Sequence, residues 1–293
     1  MEKKHLSKEV LDFMEACNAD DTLRIKRILT DNWINYPLAI NILKLAERMI
    51  TRAKMIRPQC LLVIGDPQTG KSSIKVRIES LYPDKIDGSG KIEHPILSIV
   101  MPAEADIRAL ANNLLNNMGL PEHTGRPDQA LRNLYKNLHE YKVKTILIDE
   151  IHHIGHIPSK KQRILLDVLK NITSITQIPI IAFGIEEAGD MLSSDTQLYS
   201  RFTTINLKHW GPDDDTRRLL SSIESTLPLK EPSNLSDKEM AITILEKTNG
   251  TIGELVLLCQ ELAVVTIASG KESITLDLVK SHKFHTSKPK IVS

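Results

Sequence analysis

The sequence predicts an α/β fold, a mostly parallel sheet layered between helices, with a small helical part towards the C-terminal end. Three observations predict it. Short apolar, β-branched runs alternate with helical patterns from Gln59 to about residue 207. A G-x-x-x-x-G-K-[ST] loop joins the first such run to the first helix of the series. After Trp210-Gly211-Pro212 the strand-like runs stop and only helical patterns remain.

Taken in order, residues 1–57 read as a helical arm, broken at Trp33-Ile34-Asn35-Tyr36-Pro37. Arg24, Lys26 and Arg27, then Arg52, Lys54 and Arg57, make the arm locally basic, which suits either a solvated helix face or a binding role. Residues 58–211 form the α/β core. Strands are expected near 60–64, 96–100, 144–148, 178–183 and 203–207, and helices over 71–81, 104–118, 127–141, 160–173 and 186–193. Residues 212–282 form a helical lid, with helices over 213–227, 236–248, 252–269 and 275–282. A basic, Pro-containing tail, 283–293, is expected to be mobile.

The loop itself is Gly65-Asp66-Pro67-Gln68-Thr69-Gly70-Lys71-Ser72, followed by Ser73. Its glycines let backbone N–H groups curl around phosphate oxygens, and the helix N-terminus behind it favours negative charge. Lys71 is placed to reach the outer phosphates and Ser72 to ligate Mg²⁺, so the expected ligands are ATP and Mg²⁺. A second run, Lys144 to Ile148, ends in Asp149-Glu150. In a parallel sheet its C-terminal end faces the ligand crevice. Asp149 is expected to hold Mg²⁺ through water, and Glu150 to polarise the attacking water. A carboxylate pair here points to an ATPase, not to a small GTPase or a nucleotide kinase.

Composition narrows the setting. Apolar residues make up 41% of 293 positions and the formal net charge is +1, which is not the balance of a strongly basic nucleic-acid binder. Any DNA contact must come from a local patch or a repeated one. Aromatic content of 4% argues against single-strand binding by base stacking and favours backbone-directed duplex contact with little sequence preference. No run approaches the ~20 apolar residues that span a bilayer, and Met1-Glu2-Lys3-Lys4 does not begin a signal peptide. Cys17, Cys60 and Cys259 are scattered and odd in number, so the expected compartment is the cytoplasm.

Five segments together resemble the TniB/TnsC family of AAA+ transposition regulators, with MuB and ExeA-type ATPases further off. They are GDPQTGKS at 65–72, TILIDEIHHI at 145–154, IPIIAFGIEEA at 178–188, QLYSRF at 197–202 and TNGTIGELVLLCQELA at 248–263. The resemblance covers roughly residues 40–282. It implies an AAA+ P-loop core with a helical lid, and an ATP-dependent homo-oligomer, ring or helical filament, on duplex DNA. It also implies that this assembly links a target selector to a transposase, with hydrolysis driving disassembly. Arg201 resembles the arginine finger that reaches the γ-phosphate of a neighbouring subunit. The segment between the second and third expected strands is implied to track DNA, with Arg108, Thr124 and Arg126, and Lys160, Lys161 and Arg163 as candidates; each is also readable as plain surface charge.

Two family elements are altered. Ile185 stands where relatives often carry a polar sensor, and Gly253 where a sensor arginine is common. Both remove γ-phosphate contacts, so slow intrinsic hydrolysis stimulated by a partner is expected. His152, His153 and His156 invite a metal reading, against which HHxxH has no evident fourth ligand nearby. One histidine near the nucleotide or an adjacent subunit is the expectation. A different class of function, a nucleotide-gated signalling or defence switch acting on proteins without DNA, uses the same core. A replication-initiator-type loader is a third, although residues 271–293 are too short for an appended winged helix.

Overall fold

The computed structural model describes residues 5–30 and 32–286; of the expected N-terminal lead and tail, 1–4 and 287–293 lie outside the described residues. The elements run α1 (Lys8–Ala16), α2 (Asp21–Ile28), α3 (Pro37–Thr51), β1 (Cys60–Gly65), α4 (Lys71–Leu81), β2 (Lys85–Ile86), β3 (Ile92–Glu93), β4 (Ile96–Val100), α5 (Ile107–Asn117) and α6 (Pro127–Glu140). Then come β5 (Thr145–Asp149), a 3₁₀ helix (Ile151–His156), α7 (Ser159–Asn171), a π-helical turn (Ile172–Thr176), β6 (Ile180–Gly184), α8 (Glu187–Ser193), α9 (Thr196–Tyr199) and β7 (Phe202–Leu207). Four helices follow: α10 (Asp214–Glu224), α11 (Lys238–Lys247), α12 (Ile252–Ala268) and α13 (Leu276–Ser281).

The chain divides into two compact units. One holds residues 41–67 and 71–207; the other holds 1–40, 68–70 and 208–293. The expected arm, 1–57, is therefore divided at Ile40/Asn41, within α3, and the tip of the Gly-rich loop groups with the C-terminal helices.

In the first unit five strands form one parallel sheet in the order β4-β5-β6-β1-β7. Strands β1, β5 and β6 are buried at every position, which is why their sequences are unbroken apolar runs instead of alternating ones. The edge strand β7 is mostly exposed and uses threonines accordingly. Helices α5 and α6 bury Leu110, Leu114, Leu134 and Leu138 against the sheet's core, and α7 presents Leu165, Leu166 and Leu169 at helical spacing. The short β2–β3 hairpin is a pair of two-residue strands. Burial pushes the Cys60 thiol up to about 11, so it is a core residue and not a reactive one.

Among the described residues the second unit is helical apart from its loops. Helix α12 starts at Thr251, whose hydroxyl accepts the Glu254 N–H. The buried Glu254 carboxylate reaches back to the Asn249 N–H at 2.6 Å and to its amide at 3.1 Å, a variant of the capping box. Arg24, expected at the surface, is fully buried. Its guanidinium donates to the Pro228 carbonyl at 2.8 Å, to Asp21, and to both oxygens of Glu272. A buried charge is tolerated only when paired and hydrogen-bonded, and here all three guanidinium nitrogens donate. This arginine joins α2 to the C-terminal helices and is not available to a ligand.

Candidate nucleotide-binding site

The Gly-rich loop leaves β1 at Gly65 and enters α4 at Lys71. Gln68 (φ +64°) and Gly70 (φ +98°) adopt left-handed backbone conformations inside it. Gly70 needs this freedom, because only glycine takes that φ without strain. Turns of this kind aim successive N–H groups into a concavity suited to anions. Lys71 is 9% exposed, and its ammonium donates to the Gly65 carbonyl at 2.6 Å and the Asp66 carbonyl at 2.8 Å. Burial lowers its pKa, opposed by the fields of Glu150, Asp149 and Asp66. Lys71, Asp149 and Glu150, distant in sequence, are thus electrostatic neighbours. Ser72 and Ser73 are exposed on the first turn of α4.

Asp149 closes β5. One carboxylate oxygen accepts the Glu150 N–H at 3.0 Å; the other lies 2.8 Å from Lys75 Nζ. Sequence reasoning passed over Lys75, although it stands four residues, one helical turn, beyond Lys71 on the same face. Glu150 is itself left-handed (φ +51°, ψ +38°), an uncommon state for a non-glycine residue that concentrates at functional sites. The turn directs the chain into the 3₁₀ helix, and His152 Nδ1 comes 3.2 Å from the Glu150 carboxylate. That approach is off-line for a hydrogen bond, so the buried Nδ1 has no hydrogen-bond partner. Burial holds the His152 pKa down, against the attraction of Glu150. His153 is oriented by a 2.7 Å hydrogen bond between its Nδ1 and the Met101 carbonyl.

Arg201 sits apart from these groups. Its backbone carbonyl accepts the Cys60 N–H at 2.7 Å, which fixes it at the N-terminal end of β1. The loop begins at the strand's other end, about 20 Å away for six residues at ~3.3 Å each. Its guanidinium donates to Thr173 Oγ1 at 2.5 Å, Ser174 Oγ at 3.0 Å and the Lys170 carbonyl at 3.4 Å, all around the π-helical turn. The candidate DNA contacts are spread over two helices and the loop before a third. Arg108 is exposed on the first turn of α5, Lys160, Lys161 and Arg163 on the first two turns of α7, and Thr124 and Arg126 are exposed just before α6. Arg126 Nε is 3.4 Å from Asp128.

Gly253 has a steric explanation. Its N–H donates to the Gln68 carbonyl at 2.9 Å, and a Cβ at 253 would stand 3.0 Å from Gln68 Cβ and 3.2 Å from Gln68 O. Helix α12 meets the loop tip backbone to backbone, so any side chain at 253 would crowd Gln68.

The residues fit a nucleoside triphosphate with Mg²⁺: an N–H cradle, a lysine now held by loop carbonyls, and hard oxygen donors at Ser72 and Asp149. A sequence profile of the bacterial TniB protein family matches residues 24–212. The chain belongs to the TniB family. Solved structures similar to this TniB-family protein include the ORC2 protein of Aeropyrum pernix (13% identity, TM-score 0.60, 87% of this chain and 70% of that one). The A. pernix ORC1 protein, solved in complex with DNA, aligns at 16% identity and TM-score 0.58, over 88% and 68% of the two chains. Domain III of the Thermotoga maritima replication initiation protein DnaA aligns at 14% and 0.50, over 87% and 92%. At such identities the likeness is one of fold, the AAA+ P-loop ATPase fold. No curated protein sequence matches. Among the described residues no single helix is long and apolar enough to cross a membrane.

Proposed function

We propose that this TniB-family ATPase is a cytoplasmic regulator of DNA transposition. In its ATP state it oligomerises on duplex DNA, joining a target selector to a transposase, and hydrolysis takes the assembly apart. The family match over an intact loop and Asp149–Glu150 pair carries this reading.

The loop N–H groups and Lys71 bind the phosphates, and Ser72 and Asp149 hold Mg²⁺, which when bound neutralises charge on the phosphate oxygens. Lys71 must exchange the Gly65 and Asp66 carbonyls for phosphate oxygens, and Asp149 must loosen from Lys75. Glu150 orients and polarises the attacking water. Arg201 lies at the far end of β1 from its own loop, so a finger role requires a second copy to receive it. Ile185 cannot hydrogen-bond phosphate and Gly253 brings no side chain, so the isolated chain turns over slowly and neighbours or partners raise the rate. Arg108, Thr124, Arg126, Lys160 and Lys161 are the proposed duplex contacts, made to the backbone and therefore salt-sensitive.

Electron microscopy with random-sequence duplex and a non-hydrolysable ATP analogue tests this. Ordered oligomers on DNA are expected from the natural chain and not from Lys71→Ala. A protein that stays single with every nucleotide and duplex would overturn the proposal; turnover stimulated by a protein partner alone would favour a switch that does not use DNA.

A further inference from the structure

The three histidines after Glu150 are arranged more closely than their spacing alone implied. Residues 151–156 form a 3₁₀ helix, in which side chains three apart eclipse one another. His153 and His156 therefore fall in one column, with His152 beside it and the left-handed Glu150 just ahead of the helix. One donor atom from each of Glu150, His152 and His153 lies within 4.8 Å of the other two. We propose that these three residues form a binding site for a borderline divalent transition metal of the Zn²⁺ class, and that the metal withdraws Glu150 from catalysis.

The donor set suits such an ion. Two imidazoles and one carboxylate with an open fourth position is a known zinc arrangement. Bonds of about 2.0–2.1 Å set tetrahedral ligand–ligand edges near ~3.3 Å, and His152 Nδ1 already stands 3.2 Å from Glu150 Oε2. That nitrogen is buried and has no hydrogen-bond partner, the state in which a lone pair awaits an acceptor of electrons. His153 is oriented from behind: its Nδ1 meets the Met101 carbonyl at 2.7 Å, which leaves Nε2 as the ligating atom. A backbone carbonyl on the far nitrogen is the usual support of a metal-bound histidine. The fourth position falls to water, with the His156 ring 5.5 Å from that of His152, centroid to centroid. The third protein ligand is thus Glu150, not His156.

Binding rests on this geometry alone. The consequence rests on the reading of Glu150 as the residue that polarises water: a carboxylate held by a transition metal cannot do so, while the loop and Lys71 are untouched. The metal then preserves the ATP-bound state.

Cobalt(II), titrated into the nucleotide-free full-length chain in excess Mg²⁺, tests the site. The expected result is a saturable visible d–d absorption at one equivalent per chain, displaced by Zn²⁺ and without the near-ultraviolet thiolate band that a cysteine ligand would give. His153→Gln and Glu150→Gln, each shown folded by its thermal melt, should weaken binding at least about tenfold. No saturable band, or equal affinity in both variants, overturns the site. With Zn²⁺ at saturation, ATP turnover should fall at least tenfold while binding of a fluorescent ATP analogue holds. Zn²⁺ bound with turnover unchanged overturns the inhibitory role and leaves the site standing.

Discussion

Lys75 Nζ lies 2.8 Å from Asp149 Oδ2, an ion pair with side chains 15% and 12% exposed. It joins the loop helix to the end of β5 across the place where Mg²⁺ is expected, so on the proposed function the lysine would compete with the metal for one carboxylate. Lys75→Met should cost the nucleotide-free protein about 1–3 kcal/mol by stranding a largely buried charge. The added stability conferred by MgATP should exceed that of the natural chain. Thermal melts with and without MgATP measure both; an equal MgATP increment would show that Lys75 does not compete.

Glu150→Gln keeps the side chain's size and removes its basicity. Turnover should drop by about 10²–10⁴, the usual worth of a positioned base, with ATP affinity changed less than severalfold. Single-turnover kinetics beside equilibrium binding separate the two. Comparable losses in both would place Glu150 in binding instead.

Arg201→Ala should lower the turnover of assembled protein by about 10³ or more if the guanidinium serves a neighbour's phosphates. Binding of ATP by the single chain should hold. The same side chain supports the π-helical turn through Thr173 and Ser174, so a melt must accompany the assay. Lost stability with normal turnover assigns Arg201 to the fold alone.

Gly253→Ala sets two effects against each other. Alanine in a helix gains about 1 kcal/mol over glycine, whereas overpacking against Gln68 costs about 1–3 kcal/mol. With contacts of 3.0 and 3.2 Å to Gln68 Cβ and O, net destabilisation is expected. A rise in melting temperature would mean that α12 does not rest on the loop in solution.

Acid should loosen the helical unit through Glu272. Burial opposes its ionisation, but hydrogen bonds from Arg24 and Lys230 outweigh this and pull the pKa from 4.5 to about 2. A depressed carboxyl contributes stability that is complete above the unfolded value and is lost as pH falls from about 4.5 to 2, up to about 3 kcal/mol. Glu272→Gln should flatten that part of the stability–pH curve. Arg24→Met should cost about 2–3 kcal/mol at neutral pH, somewhat below a fully stranded pair because Lys230 stays 2.8 Å away.

The five sheet strands were legible because fully buried parallel strands must be apolar throughout, and the loop because phosphate binding fixes its glycines and lysine. What escaped was set by tertiary contact. Arg24 reads as surface charge until its partner, Glu272, arrives from 248 residues away. The β2–β3 hairpin is too short, at two residues a strand, to have a period. Gly253 could be seen as a missing arginine, but not as a point where two backbones touch. The convergence of Glu150 with His152 and His153 depends on a left-handed glutamate, a conformation that residue type does not announce.

The arginine at one rim of the sheet and the loop at the other give any row of copies a head and a tail. With Arg201 in the finger role proposed above, each member would service the next and be serviced by the one before, so one terminal copy would always hold fuel that nobody ignites. Erosion of such a row would start among its interior links or at the opposite tip, and its two ends would age at different speeds.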